Sequence, residues 1–191
     1  MKKRLTRSIL LGLGVGTMLT ACQHVPNVID HVRIAQDTLE NNAANTTLYC
    51  TGVENCEFER IDNITIIDAK SHHISHQAME HGIVRLQGSV FSGRQQIYLS
   101  VPAKQSEVVI RFYPISPDRA EIFHIIHTFK PHVNYTFKMY RKRAHRSGSL
   151  LKVSTPEPLC VDLLQEQHTI RRFCRPFNVA TGVGEFVEKK I

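Results

Sequence analysis

Between Phe58 and Cys174 the chain alternates apolar and polar positions with a period of two, the signature of half-buried strands. Ile61–Ile67, Ile83–Leu86 and Ile97–Val101 are rich in β-branched residues, which suit a pleated, packed surface. In Val108–Tyr113, Val108, Ile110 and Phe112 alternate with Val109, Arg111 and Tyr113, and Pro114 and Pro117 stop the run. Ile122–Phe129 follows, then a short Lys130-Pro131-His132 connection. In Val133–Met139, Val133, Tyr135, Phe137 and Met139 fall on one face and Asn134, Thr136 and Lys138 on the other, the clearest strand of the chain. Leu150–Ser154, Leu159–Leu164 and Thr169–Cys174 complete the set. The tail from Arg175 to Ile191, with Pro176, Gly182 and Gly184, reads as coil or a final short strand. Short strands at this spacing predict a mainly β fold, an antiparallel β-sandwich or curled sheet.

Helical periodicity occurs near the start. Val28, Val32, Ala35 and Leu39 share one helical face, and Asn27 is placed to cap it. One short N-terminal helix is therefore expected, ending near Asn41-Asn42, with Asn45–Thr47 as loop. The expected organisation is a leader over 1–21, a tether and helix over 22–47, and a β-rich domain over 48–191.

The leader reading comes from Lys2, Lys3, Arg4 and Arg7, followed by an apolar stretch from Ile9 to Leu19. That order is the profile of an export signal, and the stretch is shorter than the ~20 residues a membrane-spanning helix needs. It ends in Leu19-Thr20-Ala21-Cys22. This tetrapeptide resembles the bacterial lipobox. The resemblance implies cleavage after Ala21, a thioether-linked diacylglycerol on Cys22 and acylation of the freed amine, so that a covalent lipid is the only attached group and no cofactor is expected. Three acyl chains hold a protein at a membrane far more firmly than one. Gln23 stands where an inner-membrane retention Asp would be in enterobacterial relatives. The resemblance thus implies a lipid-anchored outer-membrane protein facing the periplasm.

Removing the leader changes the charge argument. Four of the 24 Lys and Arg, and none of the 17 Asp and Glu, precede Cys22, so the sequence after it is only about +3. Such a weak excess gives no electrostatic case for a nucleic-acid partner. Cys50, Cys56, Cys160 and Cys174 form an even set in an exported chain, which suggests two disulfides. Three pairings are possible. Cys50 with Cys56 and Cys160 with Cys174 is favoured, because the second pair is symmetric about Gln167, across a hairpin turning near Gln165–Thr169. A zinc site is the rival reading, weakened by the absence of a Cys-x2-Cys spacing.

Leu99-Ser100-Val101-Pro102-Ala103, with Val108–Tyr113 and Lys130-Pro131 to Tyr140, is similar to a meander of small bacterial envelope β-domains. There a strand after a Pro-Ala-Gly turn pairs with one ending in Tyr; here Lys104 replaces the Gly. The similarity implies a fold element and no function.

Three features bear on chemistry. On a helix, His72, His76 and Glu80 of the His72–His81 segment would share a face and reach one zinc or copper ion; as a polar loop, the favoured reading, these side chains are solvated. His124 and His127, three apart on a strand, point to opposite faces and cannot ligate one ion together. No catalytic residues are assigned, since Ser92-Gly93 and Ser147-Gly148 lack a nucleophile elbow and read as turns. The basic run of Arg141, Lys142, Arg143 and Arg146 is the candidate contact for an anionic partner such as lipid headgroups or another envelope polymer. The leading expectation is a non-enzymatic envelope binding or structural module with a polymer or protein partner. The alternatives are a periplasmic lysozyme inhibitor, whose Ser-x-Ser-Gly-x-x-Tyr motif is not matched by Ser92-Gly93 and Tyr98, and a metal-binding protein using His72–His81.

Overall fold

The computed structural model describes residues 44–53, 55–87, 96–142, 157–176 and 184–191. The leader, Cys22, the expected helix over 28–41, the strand expected at Leu150–Ser154, and Arg143 and Arg146 lie outside them.

Among the described residues, eleven strands form two sheets. They are β1 (Asn45–Thr51), β2 (Asn55–Ile61), β3 (Ile64–Thr65), β4 (Val84–Gln87), β5 (Gln96–Pro102), β6 (Gln105–Tyr113), β7 (Glu121–Thr128), β8 (Asn134–Arg141), β9 (Leu159–Gln165), β10 (His168–Arg175) and β11 (Val187–Lys189). One helix, α1 (His76–Glu80), lies between β3 and β4. The larger sheet runs β11-β10-β9-β8-β1-β5-β4 and the smaller β3-β2-β6-β7. The fold is mainly β and sandwich-like, as the alternation predicts.

Three details depart from the expectation. The larger sheet is mixed, because β1 pairs parallel to β8, from Thr47 opposite Asn134 to Thr51 opposite Lys138. Residues 45–47 are strand rather than loop. Their polar side chains are accommodated because Thr46, 1% exposed, donates its hydroxyl to the Val133 carbonyl at 2.7 Å, removing the cost of burying it. The single run expected over Ile61–Ile67 is instead a hairpin, with Ile61 opposite Ile64 across Asp62-Asn63.

The core sits between the sheets. Leu48 of β1, Leu99 of β5, Phe137 and Met139 of β8 and Leu163 of β9 face Phe58 of β2, Ile110 and Phe112 of β6 and Phe123 of β7, all at most 1% exposed. The aromatic contacts cross the interface. Phe123 packs against Phe137, Phe173 and Phe186, and Phe58 meets Phe137 edge-on at 6.4 Å.

Cys50 and Cys56 pair at an S–S distance of 2.10 Å, joining β1 of one sheet to β2 of the other. Cys160 and Cys174 pair at 2.05 Å directly across the β9–β10 ladder, on the outer face of the larger sheet. The β9–β10 hairpin turns on Glu166 and Gln167, both with positive φ, the backbone of a two-residue type I′ turn.

Candidate functional site

The outer face of the smaller sheet carries an ionic network built by strand register. Glu57 of β2 lies opposite Arg111 of β6, and an irregularity between Phe58 and Arg60 brings Arg60, opposite Val109, to the same face as Glu57. The Arg111 side chain is only 5% exposed and stands 3.3 Å from Glu57 and 3.6 Å from Glu59. Its Nη2 donates to the Ile67 carbonyl at 3.1 Å, so the residues after β3 fold back over this face. Tyr113 donates its hydroxyl to Glu57 at 2.9 Å. Burial, followed by the Glu57 carboxylate, pushes the Tyr113 phenol up to about 12, so it serves as a hydrogen-bond donor and not as a base near neutral pH.

The third partner of Glu57 is His72, whose Nδ1 lies 3.0 Å away. This placement corrects the metal-site expectation. α1 begins only at His76, because Ser75 caps it by accepting from the Ala78 N–H at 3.0 Å, and His72 precedes it with φ +56. His72 is thus held on Glu57 while His76 faces Glu80 at 3.2 Å on exposed surface. The three do not share a helical face, and among the described residues no three His, Cys, Asp or Glu side chains converge as a metal site.

Further along the same face Arg60 clamps Glu107 with both terminal nitrogens, at 2.6 and 3.0 Å, and His124 reaches Glu107 at 2.7 Å. The Arg60 hydrogen bonds hold the Glu107 carboxyl below the usual range. His127, on the opposite face of β7, packs edge-on against Phe129 and Tyr135, with centroids 4.9 and 5.5 Å away. The two histidines therefore diverge, as strand geometry requires.

Burial, then the Arg171 charge, lowers the His127 pKa from 6.5. A histidine held neutral in the fold contributes stability that is complete above its unfolded value and is lost as pH falls through the folded one. Glu107, and Glu188 beside Arg171, also have lowered values, and their contributions are lost only below their ordinary 4.5. Thermal stability is expected to be level between pH 6.5 and the onset of tyrosine ionisation near 10, and to decline in two stages below pH 6.5. A His127→Phe variant, which keeps the ring packing, should lose the first stage and keep the second. Melting curves across pH check this, and a first stage unchanged in the variant rejects it.

On the outer face of the larger sheet Asp162 receives both ends of the Arg172 fork, at 2.6 and 2.7 Å, and the Tyr140 hydroxyl at 3.1 Å. The Arg172 guanidinium pKa is raised by these hydrogen bonds. These networks join carboxylates to cationic and hydroxyl side chains supplied by neighbouring strands.

A concavity among the described residues is different in kind. An open pocket of about 380 Å³ is lined by Lys142, Pro158, Cys174, Pro176, Lys189 and Lys190. Lys142 follows β8 at the start of the basic run, and the antiparallel β10–β11 pairing, Cys174 opposite Val187, brings the C-terminal lysines beside it. Arg141 is exposed next to Lys142. Lys189 and Lys190 are site residues that sequence reasoning missed. Their only signal was a Lys-Lys pair in a tail read as coil or a final short strand, and the β11 register supplies the rest.

No family model, curated protein or solved structure matches the chain.

Proposed function

We propose that this chain is a lipid-anchored, non-enzymatic binding module of the bacterial outer membrane, facing the periplasm and presenting a β-sandwich to an anionic envelope partner. The observation that carries the reading is the ordered succession of basic residues, apolar stretch and Leu19-Thr20-Ala21-Cys22. The four remaining cysteines support it, since two bonded pairs suit an oxidising compartment. The basic pocket supports an anionic partner. Expression of the full chain and of Cys22→Ser in a Gram-negative host tests the anchor. The parent is expected to incorporate labelled palmitate and to fractionate with the outer membrane, and the variant to do neither. Equal labelling, or a parent that washes off membranes without detergent, rejects the anchoring.

A further inference from the structure

The direction in which the chain enters the sandwich bears on where its partner lies. β1 starts at Asn45, whose carbonyl accepts from the His132 N–H at 3.0 Å. Because β1 is parallel to β8, that entry point lies at the pole where β8 begins. β8 then runs from Asn134 to Arg141, about 24 Å at the usual rise per residue. At its far end are Lys142, Pro158, Cys174, Pro176, Lys189 and Lys190. The basic pocket is thus at the pole opposite the entry of the tether.

Its charge is unspent. Among the described residues no carboxylate lies within ion-pair distance of Lys142, Lys189 or Lys190, while acids of the adjoining strands are engaged elsewhere. Glu188 pairs with Arg171 at 2.7 Å and Glu121 with Arg175 at 2.6 Å. The floor is apolar and fixed, formed by two prolines and a disulfide-bonded Cys174. Three ammonium groups on flexible stems impose no bidentate geometry and accept irregularly spaced anions.

We infer that the Lys142–Lys189–Lys190 pocket binds carboxylates of the cell-wall glycopeptide, in trans to the membrane that holds the lipid. The inference rests on the anchored reading for its direction. With the entry pole toward the membrane, the pocket stands about 24 Å beyond it, outside a screening length of ~8 Å at physiological salt. The anionic polymer on that side of an outer-membrane lipoprotein is the wall.

The test uses the chain from Gln23 onward, which retains all eleven strands, sedimented with purified cell walls and, separately, with vesicles containing anionic phospholipid. Wall binding is expected, weakening from low to high salt. K142Q/K189Q/K190Q should reduce affinity at least about tenfold with an unchanged Tm, which excludes misfolding. Vesicles carrying the lipidated full chain should sediment with walls, and vesicles carrying the triple variant should not. Wall binding that survives the triple substitution overturns the site. Binding to anionic vesicles in preference to walls, or failure of the vesicle-held chain to capture walls, overturns the trans arrangement. A soluble chain that binds walls through these lysines while Cys22→Ser leaves fractionation unchanged supports the pocket and rejects only the anchor.

Discussion

Gly52→Ala is expected to lower stability by about 3 kcal/mol, roughly 6–12 °C in Tm for a domain of about 150 residues. Gly52 follows β1 with φ +99, a conformation that L side chains rarely adopt. A Cβ there would lie 2.2 Å from the Met139 carbonyl oxygen and 3.0 Å from the Lys138 Cγ. Relief is blocked from two sides. Met139 is paired with Val161 in the interior of the larger sheet, and residues 50–56 are closed by the Cys50–Cys56 bond. Gly82→Ala supplies the comparison. Gly82 also has positive φ, +57, but its added Cβ would approach nothing nearer than the Arg85 guanidinium at 3.6 Å. It should cost about 1 kcal/mol, the left-handed penalty alone. Chemical denaturation of both variants measures the difference, and a Gly52→Ala no less stable than Gly82→Ala would show that the close approach has no energetic weight.

The contrast between legible and hidden parts of this fold follows the same physics of register. β8 is readable because Tyr135, Phe137 and Met139, at period two, all enter the core at 0% exposure, with Val133 packed against it just before the strand. The β9–β10 hairpin is readable because its cysteines are symmetric about the turn. β1 is hidden although it is the central strand joining β8 to β5. Its sequence NTTLYCT contributes one large aliphatic side chain to the core, Leu48, and its parallel partner lies far along the chain. β2 is hidden for a related reason. Glu57, Glu59 and Arg60 dominate its composition, and their partners Arg111 and Glu107 are supplied by β6.

Local sequence thus revealed one of the three pocket lysines, Lys142 in the run starting at Arg141, because like charges adjacent in sequence are visible without a fold. Lys189 and Lys190 join it only through the ladder between β10 and β11. The His72, His76 and Glu80 pattern, less favoured as a helix than as a loop, is not brought to one face. Its spacing is meaningful only on a continuous helix, and the Ser75 cap starts that helix one turn too late.

Glu57→Ala is the second substitution expected to be severe, at about 3 kcal/mol, because one carboxylate serves three neighbours. Removing it leaves Arg111, 5% exposed in its side chain, with the Ile67 carbonyl at 3.1 Å and a single carboxylate, Glu59, at 3.6 Å. The Arg111 Nε is already buried without a hydrogen-bond partner. Tyr113 loses the acceptor of its hydroxyl and His72 the group that holds it against the sheet. Breaking one side of a buried ion pair costs about 3–5 kcal/mol because the surviving charge stays buried, and the partial exposure of Glu57, 15% in its side chain, places this case at the lower end. Arg111→Met removes the stranded guanidinium. The double variant Glu57→Ala/Arg111→Met should therefore be more stable than the two single losses added together, by about 1–3 kcal/mol of coupling. Additive losses across the four proteins, read from denaturant midpoints at constant slope, would mean that Glu57 and Arg111 are neighbours without being energetic partners.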